Sequence, residues 1–162
     1  MTVLLGPLAE RDDWSAIGRC PIEKTMTLVG TKSSMLIMRE AFYGTTRFDD
    51  FARRVGITKA ATSARLAELV QAGLLTKQPY REPGQRSRDE YVLTEAGSAF
   101  MPVVWAMFEW GRHFAGDSRL RLTHLGCGAE ATVQIRCAEG HQVPPGELGM
   151  TVVNRKKAKR EN

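Results

Sequence analysis

Between Phe48 and Leu93 the apolar residues follow a helical period twice and then give way to short extended runs. FDDFARRV, opened by Asp49 and Asp50 and closed by Gly56, predicts a short helix over residues 48–55. Thr58 then caps KAATSARLAELVQA, in which Leu66, Leu69 and Val70 define a buried face and Gly73 marks the end. Asp, Ser or Thr before a periodic run, with Gly just after it, are the expected start and stop marks of helices. LLTKQPY leads into the loop REPGQRSR, and EYVL returns before Thr94 caps another helix. Two helices joined around a glycine form a helix-turn-helix, whose second helix is shaped for the major groove, and the basic hairpin after it is a wing.

The flanks extend the pattern. Residues 1–19 carry no clear period and read as an N-terminal arm with Trp14 and Ile17 as anchors. CPIEKTMTLVG predicts a helix with Pro21 in its first turn, Gly30 at its end and Ile22, Met26 and Val29 on one face. Thr31 starts KSSMLIMREAF, which offers Met35, Leu36, Met38 and Phe42 to the core, and Gly44 stops it. After the wing, EAGSAFMPVVWAMFEWGRHFA predicts a long helix that Pro102 kinks or divides. That helix is apolar on more than one face, through Phe100, Met101, Val103, Val104, Trp105, Met107, Phe108 and Trp110. A helix apolar nearly all round needs cover, and a second copy of the chain is the expected cover. The alternative is burial against the chain's own first helix and C-terminal segment.

Beyond Gly116 the composition shifts. ATVQIRC alternates as a strand does, AEGH can turn it back, PPGELGMTVV offers a further strand, and NRKKAKREN is a charged, disordered end. The expected organisation is an arm (1–19), a winged helix-turn-helix domain with its dimerising helices (20–115), a small β-rich extension (116–153) and a basic tail (154–162). The fold class is mainly α with a small β wing.

Net charge is +5. It divides as 15 basic and 13 acidic residues through Gly116, then 8 and 5 after it, so placement matters more than excess. On the second helix Ala60, Ser63, Ala64 and Ala67 lie away from the buried face, where small side chains let a backbone approach base edges. Lys59 and the Thr58 hydroxyl sit at the positive end of the helix dipole, suited to phosphate, and Arg65 lies at the flank. Arg81, Arg86 and Arg88 in the hairpin oppose one acid, Glu82, and suit a backbone or minor-groove contact. The expected partner is double-stranded DNA. An Ala-rich soluble helix and a solvated hairpin tip remain the plainer readings of each piece taken alone.

Other classes find little support. The three histidines, at 113, 124 and 141, lie outside the DNA-binding block, and no nucleophile elbow, P-loop or dinucleotide fingerprint occurs. No enzyme activity and no cofactor are expected. Three scattered cysteines argue against a secreted disulfide scaffold. The opening residues lack a signal-peptide pattern and no apolar run approaches a membrane span, which points to the cytosol and no membrane partner.

Several motifs in order are familiar: the Cys-Pro start, Gly30 to Lys32, RFDDF, RLAEL followed by AGLL, and LTEAG with a later EWG. Over about residues 20–112 the chain resembles the HxlR-type winged-helix regulators, relatives of the MarR group. The resemblance implies a homodimeric bacterial transcription factor, most simply a repressor, on an inverted-repeat operator. It also implies dimerisation through the first and last helices. Such regulators commonly carry Trp after the GxK lysine, whereas this chain has Ser33, so no effector transfers by analogy. Cys20 matches the cysteine that serves some of them as a redox or electrophile sensor, and its place after Arg19 and before a helix favours thiolate. A thiol-based sensor, or an interaction module with weak DNA binding, is therefore the alternative function, and the effector class, small molecule or oxidant, stays open. His124, Cys127, Cys137 and His141 form H-x2-C-x9-C-x3-H. Zinc binding and a metal-free appendage are both open there, although neither pair is a Cys-x2-Cys knuckle. A metal-free reading is preferred.

Overall fold

The computed structural model describes residues 1–10, 20–81, 83–84 and 86–152. It forms two units, one running from Cys20 to Ala131, the other combining the described residues of 1–19 with those of 132–162. The anchors Trp14 and Ile17 and the tail 154–162 fall outside the described residues. The first strand, β1 (Val3–Leu4), belongs to the smaller unit.

In the larger unit, α1 (Pro21–Val29) and α2 (Lys32–Phe42) precede α3 (Phe48–Val55) and α4 (Lys59–Gln71). The predicted caps operate. Thr31 accepts from Ser34 N, Thr58 from Ala61 N and Thr94 from Gly97 N. Gly56 ends α3 at φ 73°, a left-handed conformation that glycine takes without steric cost. α3 starts one residue ahead of its aspartates; Asp49 and Asp50 occupy its first turn, where the helix dipole favours negative charge.

The wing is an antiparallel pair, β2 (Leu75–Tyr80) and β3 (Arg88–Leu93), in register from Leu75 opposite Leu93 to Tyr80 opposite Arg88. Arg88 therefore begins a strand instead of closing the loop.

The long C-terminal helix is two helices, α5 (Glu95–Ala99) and α6 (Met101–Phe114). The division falls at Phe100, whose N–H bonds the Gly97 carbonyl at 3.1 Å. Pro102 has no N–H to continue the ladder and its ring crowds the preceding turn, so the chain restarts there.

The core gathers Val29, Ile37, Met38, Phe51, Leu66, Leu69, Leu75 and Val104. On α2 it is Ile37 and Met38 that are fully buried, while Met35 and Leu36 are half-buried. α1 departs from expectation: Val29 is buried, but Ile22 is 72% and Met26 57% exposed. The wing is joined to the last helices by Thr94, whose hydroxyl donates to the Gly73 carbonyl at 2.6 Å while capping α5. Gly97 stands against this joint, since a Cβ there would lie 2.0 Å from the Leu74 carbonyl oxygen.

The strand expected over 131–137 does not form. Isolated bridges, Thr123 with Glu130 and Arg136 with Gln142, replace it. Val133 and Ile135 are 39% and 51% exposed, so neither is buried as one face of a packed strand would be. In the smaller unit β4 (Gly149–Met150) runs parallel to β1, with Val3 N bonding Leu148 O at 2.7 Å and Leu5 N bonding Met150 O at 2.9 Å. The expected arm thus contributes a strand, and the second β segment shrinks to two residues after a 3-10 turn at Pro145–Glu147. Among the described residues no helix is long and apolar enough to cross a membrane.

Candidate nucleic-acid interface

α4 divides cleanly into two faces. Thr62, Leu66 and Leu69 are completely buried, whereas Ala60, Ser63, Ala64 and Ala67 are exposed. Thr62 was not among the expected core residues. Its hydroxyl donates to the Thr58 carbonyl at 2.9 Å, which removes the cost of burying it. The outward face carries nothing larger than a serine at these four positions, so the helix backbone is open to close approach.

The cations around that face are held by the protein's own acids. Lys59 Nζ lies 2.7 Å from Asp49 Oδ1, and Arg65 Nη1 lies 2.5 Å from Glu68 Oε2. Lys59, through its hydrogen bond and its charge, holds the Asp49 carboxyl below the usual carboxylate value, helped by Arg88. That pair therefore persists through neutral pH and is lost as acid titrates Asp49. A phosphate arriving at the N-terminus of α4 exchanges with a carboxylate rather than meeting a bare ammonium. Thr58 is occupied as the cap of α4, while Arg81, Arg86 and Arg88 are exposed along the wing.

Arg47 is the contributor that the sequence did not disclose. From the N-cap position of α3 its guanidinium lies 3.0 Å from the Tyr80 ring centroid and 3.9 Å from Glu90 Oε2. The same junction carries a hydrogen bond from Tyr91 N to Thr46 O at 2.8 Å, and Tyr91 meets Phe51 edge-on. These contacts fix both strands of the wing to the start of α3, and so fix the wing's angle relative to α4. The only sequence signal was an arginine before a helix beside a wing tyrosine.

The other singled-out residues lie elsewhere. Cys20 is the half-buried N-cap of α1, and its carbonyl accepts from Lys24 N at 3.1 Å. His124 Nδ1 stands 3.1 Å from Cys127 Sγ, and Cys137 N donates to His141 O at 3.0 Å. Among the described residues no group of three or more His, Cys, Asp or Glu is placed to hold a metal ion.

A capped helix-turn-helix whose second helix is exposed on one face, followed by a basic hairpin, defines a winged-helix transcriptional regulator. Residues 28–119 match the model of the HxlR-like helix-turn-helix family, and the chain belongs to that family. It is 34% identical over 133 residues to the uncharacterized HTH-type transcriptional regulator Rv3095 of Mycobacterium tuberculosis, covering 80% of each chain. Among solved structures it is similar to PA1607, described as a candidate transcription factor, with TM-score 0.72 and 31% identity over 86% of this chain and 97% of that one. It is also similar to the reduced form of the redox regulator HypR, with TM-score 0.53 and 30% identity over 58% of this chain and 92% of that one.

Proposed function

We propose that the protein is a homodimeric repressor that reads an inverted-repeat operator with α4 in the major groove and the wing arginines on flanking backbone or minor groove. The observation that carries this reading is the sorting of α4, with every large apolar side chain turned inward and Ala60, Ser63, Ala64 and Ala67 turned out. Ser63 can donate to or accept from a base edge, and the alanines can touch thymine methyls. Footprinting of the purified protein on DNA around its own gene tests it. Two protected half-sites about one helical turn apart are expected, with affinity falling steeply as salt rises; no protected site would end the proposal.

The apolar stripe on α6 supports the dimer. Val103, Met107, Trp110 and Phe114 recur at helical spacing and are exposed, and Ile22 and Met26 of α1 are exposed too. A cleft of about 390 Å³ lies between α1, α2 and α6, lined by Met26, Val29, Met35, Phe100 and Val103 among others. Patches of this kind mark association surfaces. Trp110→Glu, at a 61% exposed position, should leave the fold intact and yield monomers in sedimentation velocity where the wild type is dimeric.

A second reading, thiol-based sensing at Cys20, draws on the likeness to HypR and on the residue's place at the start of α1. Diamide treatment should then weaken DNA binding in the wild type but not in Cys20→Ser; equal responses would remove the reading.

A further inference from the structure

The carboxylate of Asp49 stands beside cations from two other elements of the DNA-binding face. It lies in the first turn of α3, 2.7 Å from Nζ of Lys59, the first residue of α4. Arg88, at the start of β3, also favours its ionised form. We propose that Asp49 is an internal competitor for DNA phosphate: its carboxylate occupies Lys59 in the free protein, and a duplex must displace it to use that ammonium. This role rests on the DNA-binding function proposed above.

Three observations support it. On α3 and α4 the neighbouring pairs, Arg53 with Asp50 and Arg65 with Glu68, each lie within one helix at the i,i+3 spacing that supports a helix. Asp49 and Lys59 come from different helices and meet across the turn, so their contact supports neither helix in that way. Both side chains are also largely exposed. An ion pair in water adds little to stability, so it breaks readily and the ammonium stays within reach of an outside anion. Finally, the rival groups match, since carboxylate and phosphate oxygens take the same charge-assisted N–H bonds.

The exchange alters how ions are released. A lysine that meets phosphate from water releases a counterion from the DNA. Here the freed Asp49 carboxylate takes up a cation in its turn and faces the phosphates, so net release at this contact falls. Phosphates carry no sequence information. Asp49 therefore lowers affinity for every duplex alike and leaves discrimination to the outward face of α4.

Fluorescence anisotropy of the full chain, across a salt series, tests the proposal on a duplex from around its own gene and on a random-sequence duplex. Asp49→Asn keeps the side chain's shape and removes its charge. It should raise affinity for both duplexes by a similar factor, roughly twofold to fivefold, the scale of one exposed ion pair. The salt dependence should steepen by about one unit of slope. In a Lys59→Met background the same substitution should gain less than in the wild type, because no ammonium is left to compete for. An equal gain there would mean general repulsion and overturn the proposal. So would unchanged or weaker binding in Asp49→Asn, or a gain confined to one duplex. If both duplexes bind alike and both respond to Asp49→Asn, the operator reading fails alone. If one duplex is preferred and the variant changes nothing, the competitor fails alone. Binding of neither duplex by either protein refutes both.

Discussion

Replacing Arg86 and Arg88 by glutamate should abolish operator binding while leaving the dimer and its thermal unfolding unchanged. Both side chains are exposed, so neither supports the core. An arginine contact to a base edge is worth about 1–3 kcal/mol, so losing two such contacts costs about 2–6 kcal/mol, roughly 30-fold to 20,000-fold in affinity. The new carboxylates then repel the phosphates as well. If both arginines contact phosphate, the salt dependence of residual binding should flatten by about two units of slope. Fluorescence anisotropy across a salt series measures both quantities. Wild-type affinity in the double variant would show that the wing does not meet DNA.

The second large effect is on stability. Phe51→Ala should destabilise the protein by about 3–5 kcal/mol, the usual cost of emptying a buried aromatic site. That is a large share of the about 5–15 kcal/mol that holds a domain folded. Phe51 is fully buried on α3 and meets Tyr91 edge-on, so its loss also loosens the wing's seat. Urea unfolding followed by circular dichroism gives the value directly. A loss under about 1 kcal/mol would mean the neighbouring helices collapse into the space.

Caps and closing glycines act on adjacent backbone groups, so Thr31, Thr58, Thr94, Gly56 and Gly73 could be read one by one, and they placed α2 to α5 and the turn between α3 and α4. The small outward face of α4 was legible because its period is local too. Arg47 was not, because its partners Tyr80 and Glu90 lie more than thirty residues away and only the closed fold brings them to it. Thr62 reads as a surface residue until its hydroxyl finds the Thr58 carbonyl. The same limit explains the error at 131–137. Alternation signals a strand only where a second layer exists to receive one face, and Val133 and Ile135 remain exposed. At α1 the period grouped Ile22, Met26 and Val29 on one face, but only Val29 is buried, while Ile22 and Met26 are exposed.

The Thr94–Gly97 joint carries a geometric consequence for target choice. One hydroxyl clamps the turn after α4 to the start of α5, and the absent Cβ at Gly97 keeps that clamp tight. Between this rigid clasp and the sticky stripe of α6 the only break is Phe100. In the proposed twofold pair built on α6, the span between the two α4 helices would be set by a ruler with a single adjustable notch. Adding or removing one residue at that notch would swing the heads about the pair's axis. It would favour operators with a different number of base pairs between half-sites, leaving each half-site's own sequence preference unchanged.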